Sequence, residues 1–319
     1  MRFCSTPQNF TPIEQGLVFA FTTESDTPSS VVAEIVDCSD ESVVATLRLH
    51  DVTTAEVDIA PYIAPFVERK PLRSAVSMLC EAPTASYKLR VDGLESADVT
   101  VSLNRSKVVA PAVVTTMSSQ RRLAHGESDE VLLFAEEGSC VEVVMESNTG
   151  EELRLEKVSS GAEILTVVAT DFGDDTQRVD VVVLCDGSEV ASLCYNIVAP
   201  SGRGVRLAWL SSEGSVERYT FPMARTVTLN AERERVGQGE IVRTVACRSE
   251  SRLEVASRYE PRATIAALSE IVASTKVWLV ADEDIEVDVV TATTTQSLFG
   301  EPSAVALTLR LWQREESLW

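Results

Sequence analysis

Histidine is scarce in this chain, which has only His50 and His125 among its 319 residues. A Ser–His–Asp triad needs a histidine beside an activated serine, and no Gly-x-Ser-x-Gly elbow supplies that serine. The two histidines form no short-spacing metal pair, and the cysteines lack the spacing of zinc ligands. The sequence therefore predicts neither a His-dependent hydrolase nor a zinc site.

Other chemical signatures are missing as well. Neither GxxxxGK[ST] nor GxGxxG occurs, so no loop is expected to cradle phosphate. The acidic clusters at 171–175 and 282–288 do not match the twelve-residue calcium loop, and we interpret them as solvated turns. A glycosidase needs two carboxylates at a set separation, and aromatic residues, at 6%, are few for a glycan cleft. We therefore expect no enzymatic activity, no cofactor and no bound metal.

Long apolar runs and redox motifs are also lacking. No stretch approaches the roughly 18–20 apolar residues of a membrane span. Residues 1–16 lack the apolar core of a secretory signal, so either a leader has been removed or the protein is made and kept in a cytoplasm. The initial Met1 favours the second, which is our expectation. The seven cysteines are odd in number and include no CxxC. They are expected to be buried free thiols that pack as small hydrophobes.

Positive charge is in short supply, with 28 Lys and Arg against 49 Asp and Glu, for a formal net charge of −21. Repulsion from phosphate opposes binding to nucleic acid and to anionic membranes. We expect neither partner. An acidic surface of this kind keeps a protein soluble or attracts a basic partner.

What the chain has in abundance is period-two alternation of Val, Thr, Leu and Ile, interrupted by Gly, Pro and Asp/Ser/Asn clusters. This pattern is typical of antiparallel β-sandwiches. We predict a mainly β fold with tandem β-sandwich-like domains and a C-terminal α+β module containing one helix.

Three units are predicted along the chain. Residues 1–105 form a β-sandwich-like domain that includes a strand at 74–81. Residues 106–200 form a fibronectin-III- or immunoglobulin-like domain, or alternatively share a sheet with the first unit. Residues 201–319 form the α+β module, whose helix at 261–274 has apolar residues at three- and four-residue spacing on one face.

The third unit opens with the stretch RLAWLSSEGSVERYTF, which reads as two strands joined by a turn at Gly214. Trp209 on one strand and Tyr219 and Phe221 on the other can pair across the ladder and cover a core. No acid, base or ligand constellation accompanies them in sequence. We interpret the stretch as a structural hairpin.

Nine arginines lie between residues 218 and 262, interleaved with glutamates. Alternating signs on strands form cross-strand ion pairs on a solvated face. Alternatively, the arginines form an interface that docks on the acidic face of another copy or partner, since guanidinium suits bidentate contacts. Both interpretations remain open at this point. The candidate interface residues are Arg218, Arg225, Arg233, Arg235, Arg243 and Arg258.

The opening hairpin resembles one found in structural proteins encoded by phages and prophages of gut Bacteroidetes. Those proteins carry Trp-Leu-Asn, a turn with Gly, and then Asp-x-Tyr-x-Phe. Here Trp209-Leu210-Ser211, Gly214 and Glu217-Arg218-Tyr219-Thr220-Phe221 follow the same order, with Ser211 and Glu217 as replacements. Residues 57–63, 269–279 and 307–312 are also similar to segments of that family.

The resemblance implies a non-enzymatic structural component of a phage virion, in the tail or the tail-tip and connector region. It would be made in the bacterial host cytoplasm and assemble in multiple copies through β-domain interfaces. Its partners would be copies of itself and other virion proteins. The alternative is an extracellular adhesive or glycan-binding β-sandwich protein.

Overall fold

The computed structural model of the chain describes residues 1–23, 27–105, 107–238, 241–294 and 303–311. For nine positions in two long strands it describes the backbone alone, namely residues 223–225, 237, 238, 241–243 and 248. The described part is mainly β, with one helical segment of 12 residues, which confirms the predicted fold class.

The first unit is built on two facing sheets. Its segment of the chain contains β1 (Arg2–Ser5), β2 (Thr11–Pro12), β3 (Val18–Thr22), β4 (Ser29–Asp37), β5 (Val43–Val52), β6 (Thr54–Asp58), β7 (Met78–Glu81), β8 (Ser86–Val91), β9 (Leu94–Glu95) and β10 (Val99–Ser102). One sheet has the order β1-β3-β6, and the other has the order β2-β10-β8-β4-β5 with β9 on β8. Apolar side chains of both sheets, such as Phe19 and Leu89, form a common core. A short helix, α1 (Ala60–Ile63), lies in the proline-rich connection.

The second unit is a two-sheet sandwich with an immunoglobulin-type strand order. Its strands are β11 (Ala112–Val114), β12 (Gln120–Ala124), β13 (Ser128–Phe134), β14 (Cys140–Ser147), β15 (Glu152–Val158), β16 (Ala162–Val168), β17 (Arg178–Cys185) and β18 (Ser188–Val198). The sheets have the orders β11-β13-β16-β7 and β12-β18-β17-β14-β15. These orders correspond to strands A-B-E-D and to the G-F-C sheet of that sandwich. Side chains such as Val131 and Val181 fill the space between the sheets.

Strand β7 does not join the first unit, to which the sequence pattern assigns it. It pairs antiparallel with β16, with Leu79 opposite Leu165 and Cys80 opposite Ile164. It therefore occupies the D-strand position of the second sandwich. Every residue of β16 is buried, and a strand of that kind needs hydrogen-bonding partners on both sides. The first two units thus share a sheet, and β7 crosses the boundary predicted at residue 105.

Two strand pairs run parallel, although an antiparallel fold is predicted. Strand β12 pairs with β18, and β2 pairs with β10. The chain leaves one sheet after β11 and enters the other as β12, so it meets that sheet's edge in the same direction as β18. Alternation alone carries no information about such a change of sheet.

The third unit is a single seven-stranded sheet with one helix packed on it. Its elements are β19 (Val205–Leu210), β20 (Val216–Phe221), β21 (Met223–Gln238), β22 (Ile241–Ala256), α2 (Arg262–Glu270), β23 (Val277–Val280), β24 (Asp284–Val289) and β25 (Ala306–Leu311). The sheet order is β20-β19-β23-β24-β25-β22-β21. Ile265 and Leu268 of α2 pack against the sheet, and the last turn tightens into a 3₁₀ segment at Ile271–Ala273. No helix in the described ranges is long and apolar enough to cross a membrane.

All seven cysteines are free thiols, as expected, but the expectation that they are buried holds fully only for Cys185. Cys4 and Cys247 are exposed, and the other four are partly exposed. Cys4 lies on β1 at the edge of its sheet, and Cys247 lies where β22 extends beyond the core. Strand alternation does not reveal that a strand leaves the body of the protein.

Candidate assembly surface

The aromatic residues of the β19–β20 hairpin lie in the core of the third unit. Trp209 and Phe221 are fully buried beside α2, and Tyr219 packs edge-to-face on Phe221 with ring centroids 5.0 Å apart. The Tyr219 hydroxyl donates to Glu260 over 3.0 Å, and burial, with the nearby Glu260 carboxylate, raises the pKa of Tyr219. This arrangement is that of a structural hairpin and supplies no reactive group.

Gly214 lies in the turn of this hairpin, where the third unit touches the first. Its φ of +77° is in the left-handed region that favours glycine. A Cβ atom here would lie 2.8 Å from the backbone nitrogen of Asn104 and 2.8 Å from the carbonyl carbon of Leu103. The glycine therefore serves both the turn and the close approach of two units.

The opposite face of the hairpin is bound to the second unit by buried arginines. The Nη2 of Arg218 lies 2.8 Å from Oε2 of Glu130 and donates to the carbonyl oxygen of Leu72 over 2.6 Å. The Nη1 of Arg206 lies 2.9 Å from Glu127. Arg218, a candidate interface residue in the sequence, thus makes its contacts within the chain and is buried.

A second buried pair, Arg121 with Asp129, lies beside this contact. Their Nη1 and Oδ2 atoms are 2.6 Å apart, and the Tyr195 hydroxyl donates to the same oxygen over 3.0 Å. Burial raises the pKa of Asp129, but Arg121, Arg206 and Arg218 lower it more, and the net shift is downward. The pairs stabilise one arrangement of the units, because a buried charge without its partner is costly.

Sequence reasoning missed the acidic half of this network. Asp129 and Glu130 are the second and third residues of β13, after Ser128, and Glu217 follows the hairpin turn. The one available signal is that Asp129 and Glu130 directly precede the apolar run of residues 131–134. Sequence spacing does not reveal which arginines pair with these carboxylates. Asp129 pairs with Arg121 on the preceding strand, whereas Glu130 pairs with Arg218 in the third unit.

A long hairpin arm projects from the third unit, and we define it as residues 226–238 of β21 and 241–250 of β22. Strand β22 pairs with β25 only over Ser251–Ala256, and β21 forms the edge of the sheet. The ten residues Ile241–Glu250 therefore extend about 30 Å beyond the sheet, at ~3.4 Å per residue. The described side chains of 226–236, 244–247 and 249 are all exposed.

The hairpin arm has one apolar and one polar face near its base. Val227 lies opposite Leu253, Leu229 opposite Ser251 and Ala231 opposite Ser249. Leu253 belongs to the core beneath α2, so this face continues the core face outward without cover. Leu229 is 59% exposed, and Val236 and Val245 nearer the tip are 61% and 60% exposed. The other face carries Thr, Asn, Glu and Arg.

Four of the six candidate interface arginines belong to the β21–β22 hairpin. Arg233 and Arg235 are exposed on the hairpin arm. The side chains of Arg225 and Arg243 lie outside what the structure describes. Arg258 is exposed, but it lies past the end of β22, where its backbone N–H donates to the Tyr219 hydroxyl. The structure thus brings part of the predicted set together on one projecting ribbon.

The hairpin arm also differs from the rest of the chain in charge. The sequence stretch 226–250, which spans the hairpin arm, contains four arginines and four glutamates and no lysine or aspartate, so the formal charge of this stretch is zero. The net charge of −21 therefore lies entirely on the remainder of the chain. A neutral ribbon can approach an acidic body without the repulsion that two acidic bodies experience.

The acidic clusters take part in structural contacts. Asp171 accepts a hydrogen bond from the backbone of Ser77, and Asp284 forms an ion pair with Arg73 at 2.8 Å. Within the described residues, no group of three or more His, Cys, Asp and Glu side chains is arranged to hold a metal ion.

Comparison with known proteins yields no family. No family model and no curated protein matches the chain. Among solved structures, it is similar to Dpr2 Ig1–Ig2 in a complex with DIP-Theta Ig1–Ig3, at 11% identity over 62% of this chain and 99% of that chain, with a TM-score of 0.18. It is similar to CBD12 from CALX1.2, at 11% identity over 56% and 77%, with a TM-score of 0.19.

A third similar structure is a tetra-tandem repeat in the extending region of a large adhesion protein, at 12% identity over 81% of this chain and 69% of that chain. Its TM-score is 0.21. Overall similarities this low carry no argument about function. The sandwich architecture rests on the strand orders described above.

Proposed function

We propose that this chain is a non-enzymatic structural subunit of a phage virion, in the tail or the tail-tip and connector region, and that its copies join through the hairpin arm. The exposure of the described side chains on both faces of this ribbon supports assembly through it, and the resemblance of the β19–β20 hairpin to phage structural proteins supports the virion assignment. A two-stranded hairpin alone is marginally stable in water, and its unpaired edges invite further strands. A second copy that covers the ribbon would stabilise the hairpin and pair its free edges.

In this proposal, the apolar face of the hairpin arm makes the main contact with the second copy, and the charged residues of the arm select the acidic surface that it binds. Val227 and Leu229 continue a core face into solvent, so covering them removes apolar surface from water. The neutral arm meets the acidic body of another copy, and Arg233 and Arg235 find carboxylates there. In the remainder of the chain, the buried ion pairs of Arg218 with Glu130 and of Arg121 with Glu217 join the second and third units.

Self-association is tested with two variants that differ only in the face they alter. Leu229→Glu places a charge on the apolar face, and Thr228→Glu places the same charge on the polar face. Sedimentation velocity over a broad concentration range should show association for the unaltered chain and for Thr228→Glu, and a loss of about tenfold or more in affinity for Leu229→Glu. Equal behaviour of the two variants, or a monomer at every concentration, contradicts the role of the hairpin arm.

The virion assignment needs a separate measurement. Mass spectrometry of purified particles from the host should find this chain at a fixed ratio to the other structural proteins. A complete particle without it refutes the assignment. Recovery of the chain only from the cell surface would favour the adhesive alternative.

A further inference from the structure

A cavity of about 330 Å³ lies where the three units meet. Small-molecule sites in proteins commonly occupy about 300–1,000 Å³ at such junctions. The first unit contributes Phe66, Arg69 and Asn104, the second contributes Phe134, and the third contributes Gly214. The cavity therefore touches every unit of the chain.

One wall of the junction cavity is aromatic and held under backbone strain. Phe10 packs edge-to-face on Phe134, with ring centroids 5.4 Å apart. Phe10 has φ +59°, a left-handed conformation that bulky residues rarely adopt. Gly161 makes room for the ring, since a Cβ there would lie 2.6 Å from it. Phe66 stands at the rim and is 62% exposed. Strain of this kind clusters at binding sites.

The polar part of the lining comprises Arg69, Asn104, Glu68, Thr84 and Ser102. Two of these residues, Arg69 and Asn104, have buried hydrogen-bond donors without acceptors. Nη1 of Arg69 donates to the carbonyl oxygen of Gly214 over 3.3 Å. Nε and Nη2 of Arg69 and Nδ2 of Asn104 are buried and have no acceptor among the described residues. Each unsatisfied donor of this kind costs about 1–3 kcal/mol.

The charge of Arg69 is also incompletely compensated. Burial lowers the pKa of its guanidinium, although the carboxylates of Glu130 and Glu217 act in the opposite direction. Glu130 is already engaged by Arg218, and Glu217 is engaged by the hydroxyl of Thr115. An additional anion beside Arg69 would meet both its charge and its free N–H groups.

We propose that the junction cavity binds a carboxylate that carries an aromatic or branched apolar group, with the carboxylate on Arg69 and Asn104 and the apolar group against Phe10, Phe66 and Phe134. Such a ligand bridges the three units and holds them in one arrangement. The carboxylate can belong to a free acid or to the C-terminal residue of a peptide, since both present the same chemistry.

The test uses phenylacetate and its uncharged analogue phenylacetamide as probes of the full chain, with binding followed by ligand-observed NMR and calorimetry. Phenylacetate should bind at least about tenfold more tightly than the amide. Arg69→Gln should abolish that preference. Short peptides ending in phenylalanine, with free or amidated C-termini, then distinguish a peptide end from a free acid.

A second pair of variants keeps the test decisive if Arg69→Gln fails to fold. Ala85 is half-buried and lines the cavity, whereas Ala45 is half-buried on β5 and does not. Ala85→Leu should weaken binding of phenylacetate, and Ala45→Leu should leave it unchanged. Equal binding of acid and amide, no binding of either, or unchanged binding in Ala85→Leu overturns the proposal.

Discussion

Replacement of Gly214 by alanine should destabilise the protein more than the same change at Gly150. Both glycines close turns of the same kind. Gly214 N donates to Ser211 O over 3.1 Å, and Gly150 N donates to Ser147 O over 3.0 Å. Their φ values are +77° and +87°. The left-handed backbone therefore penalises alanine similarly at both positions, by about 1–2 kcal/mol.

The two turns differ in what surrounds them. A Cβ at Gly150 meets nothing within 4 Å. A Cβ at Gly214 would lie 2.8 Å from two backbone atoms of Leu103 and Asn104, which cannot rotate away as a side chain can. Relief requires the third unit to shift from the first, and overpacking of this kind costs about 1–3 kcal/mol. We therefore expect Gly214→Ala to lose about 2–5 kcal/mol in total.

The assay is denaturant unfolding of both variants, followed by the fluorescence of Trp209 and Trp278, which are buried in the third unit. The change in midpoint multiplied by the slope m yields the loss in free energy of unfolding. The difference between the two variants isolates the contact between units from the cost of the turn. If both variants lose the same amount, the close approach at Gly214 carries no energy and the reasoning is refuted.

Two further predictions concern buried polar groups. Asp129→Asn removes the nearer of the two carboxylates that pair with Arg121, since Glu217 remains 3.7 Å from its Nη2, and should cost up to about 3–5 kcal/mol at neutral pH. Because the native pKa of Asp129 lies below the unfolded value of about 4, its stabilisation is present above that pH and is lost as the pH falls through the native pKa. The free energy of unfolding, measured from neutral to acid pH, should therefore fall less steeply below a pH of about 4 in the variant than in the unaltered chain. An identical slope would contradict the role of Asp129. Tyr219→Phe keeps the ring but removes the hydroxyl that donates to Glu260, and calorimetric melting should reveal a loss of about 1–3 kcal/mol.

The ion-pair network explains how three units act as one body. Arg206 and Arg218 leave the third unit and end on Glu127 and Glu130 of the second. Strand β7 ties the first unit to the second through a shared sheet. The hairpin arm takes no part in these connections, and its described side chains are almost all exposed to solvent.

Local sequence patterns were sufficient for the fold class and for the elements with a clear period. Alternating apolar residues predict the strands, because one face of a half-buried strand packs on the core and the other face is exposed to solvent. The spacing of Ile265 and Leu268 predicts α2, since both lie on the face that meets the sheet. The turn at Gly214 follows from its residue type. Each of these properties depends on residues within one turn or one strand.

Only the tertiary structure decided how the elements are shared and which charges are buried. Strand β7 joins the second unit because the edge of β16 needs a partner, and that need arises far along the chain. Arg218 and Arg233 look alike in sequence, yet one is buried against Glu130 and the other lies on the exposed hairpin arm. Alternation records that a residue faces one side of a strand. It does not record whether another layer of the protein covers that side, and this cover determines whether an arginine stabilises the fold or remains free to meet a partner.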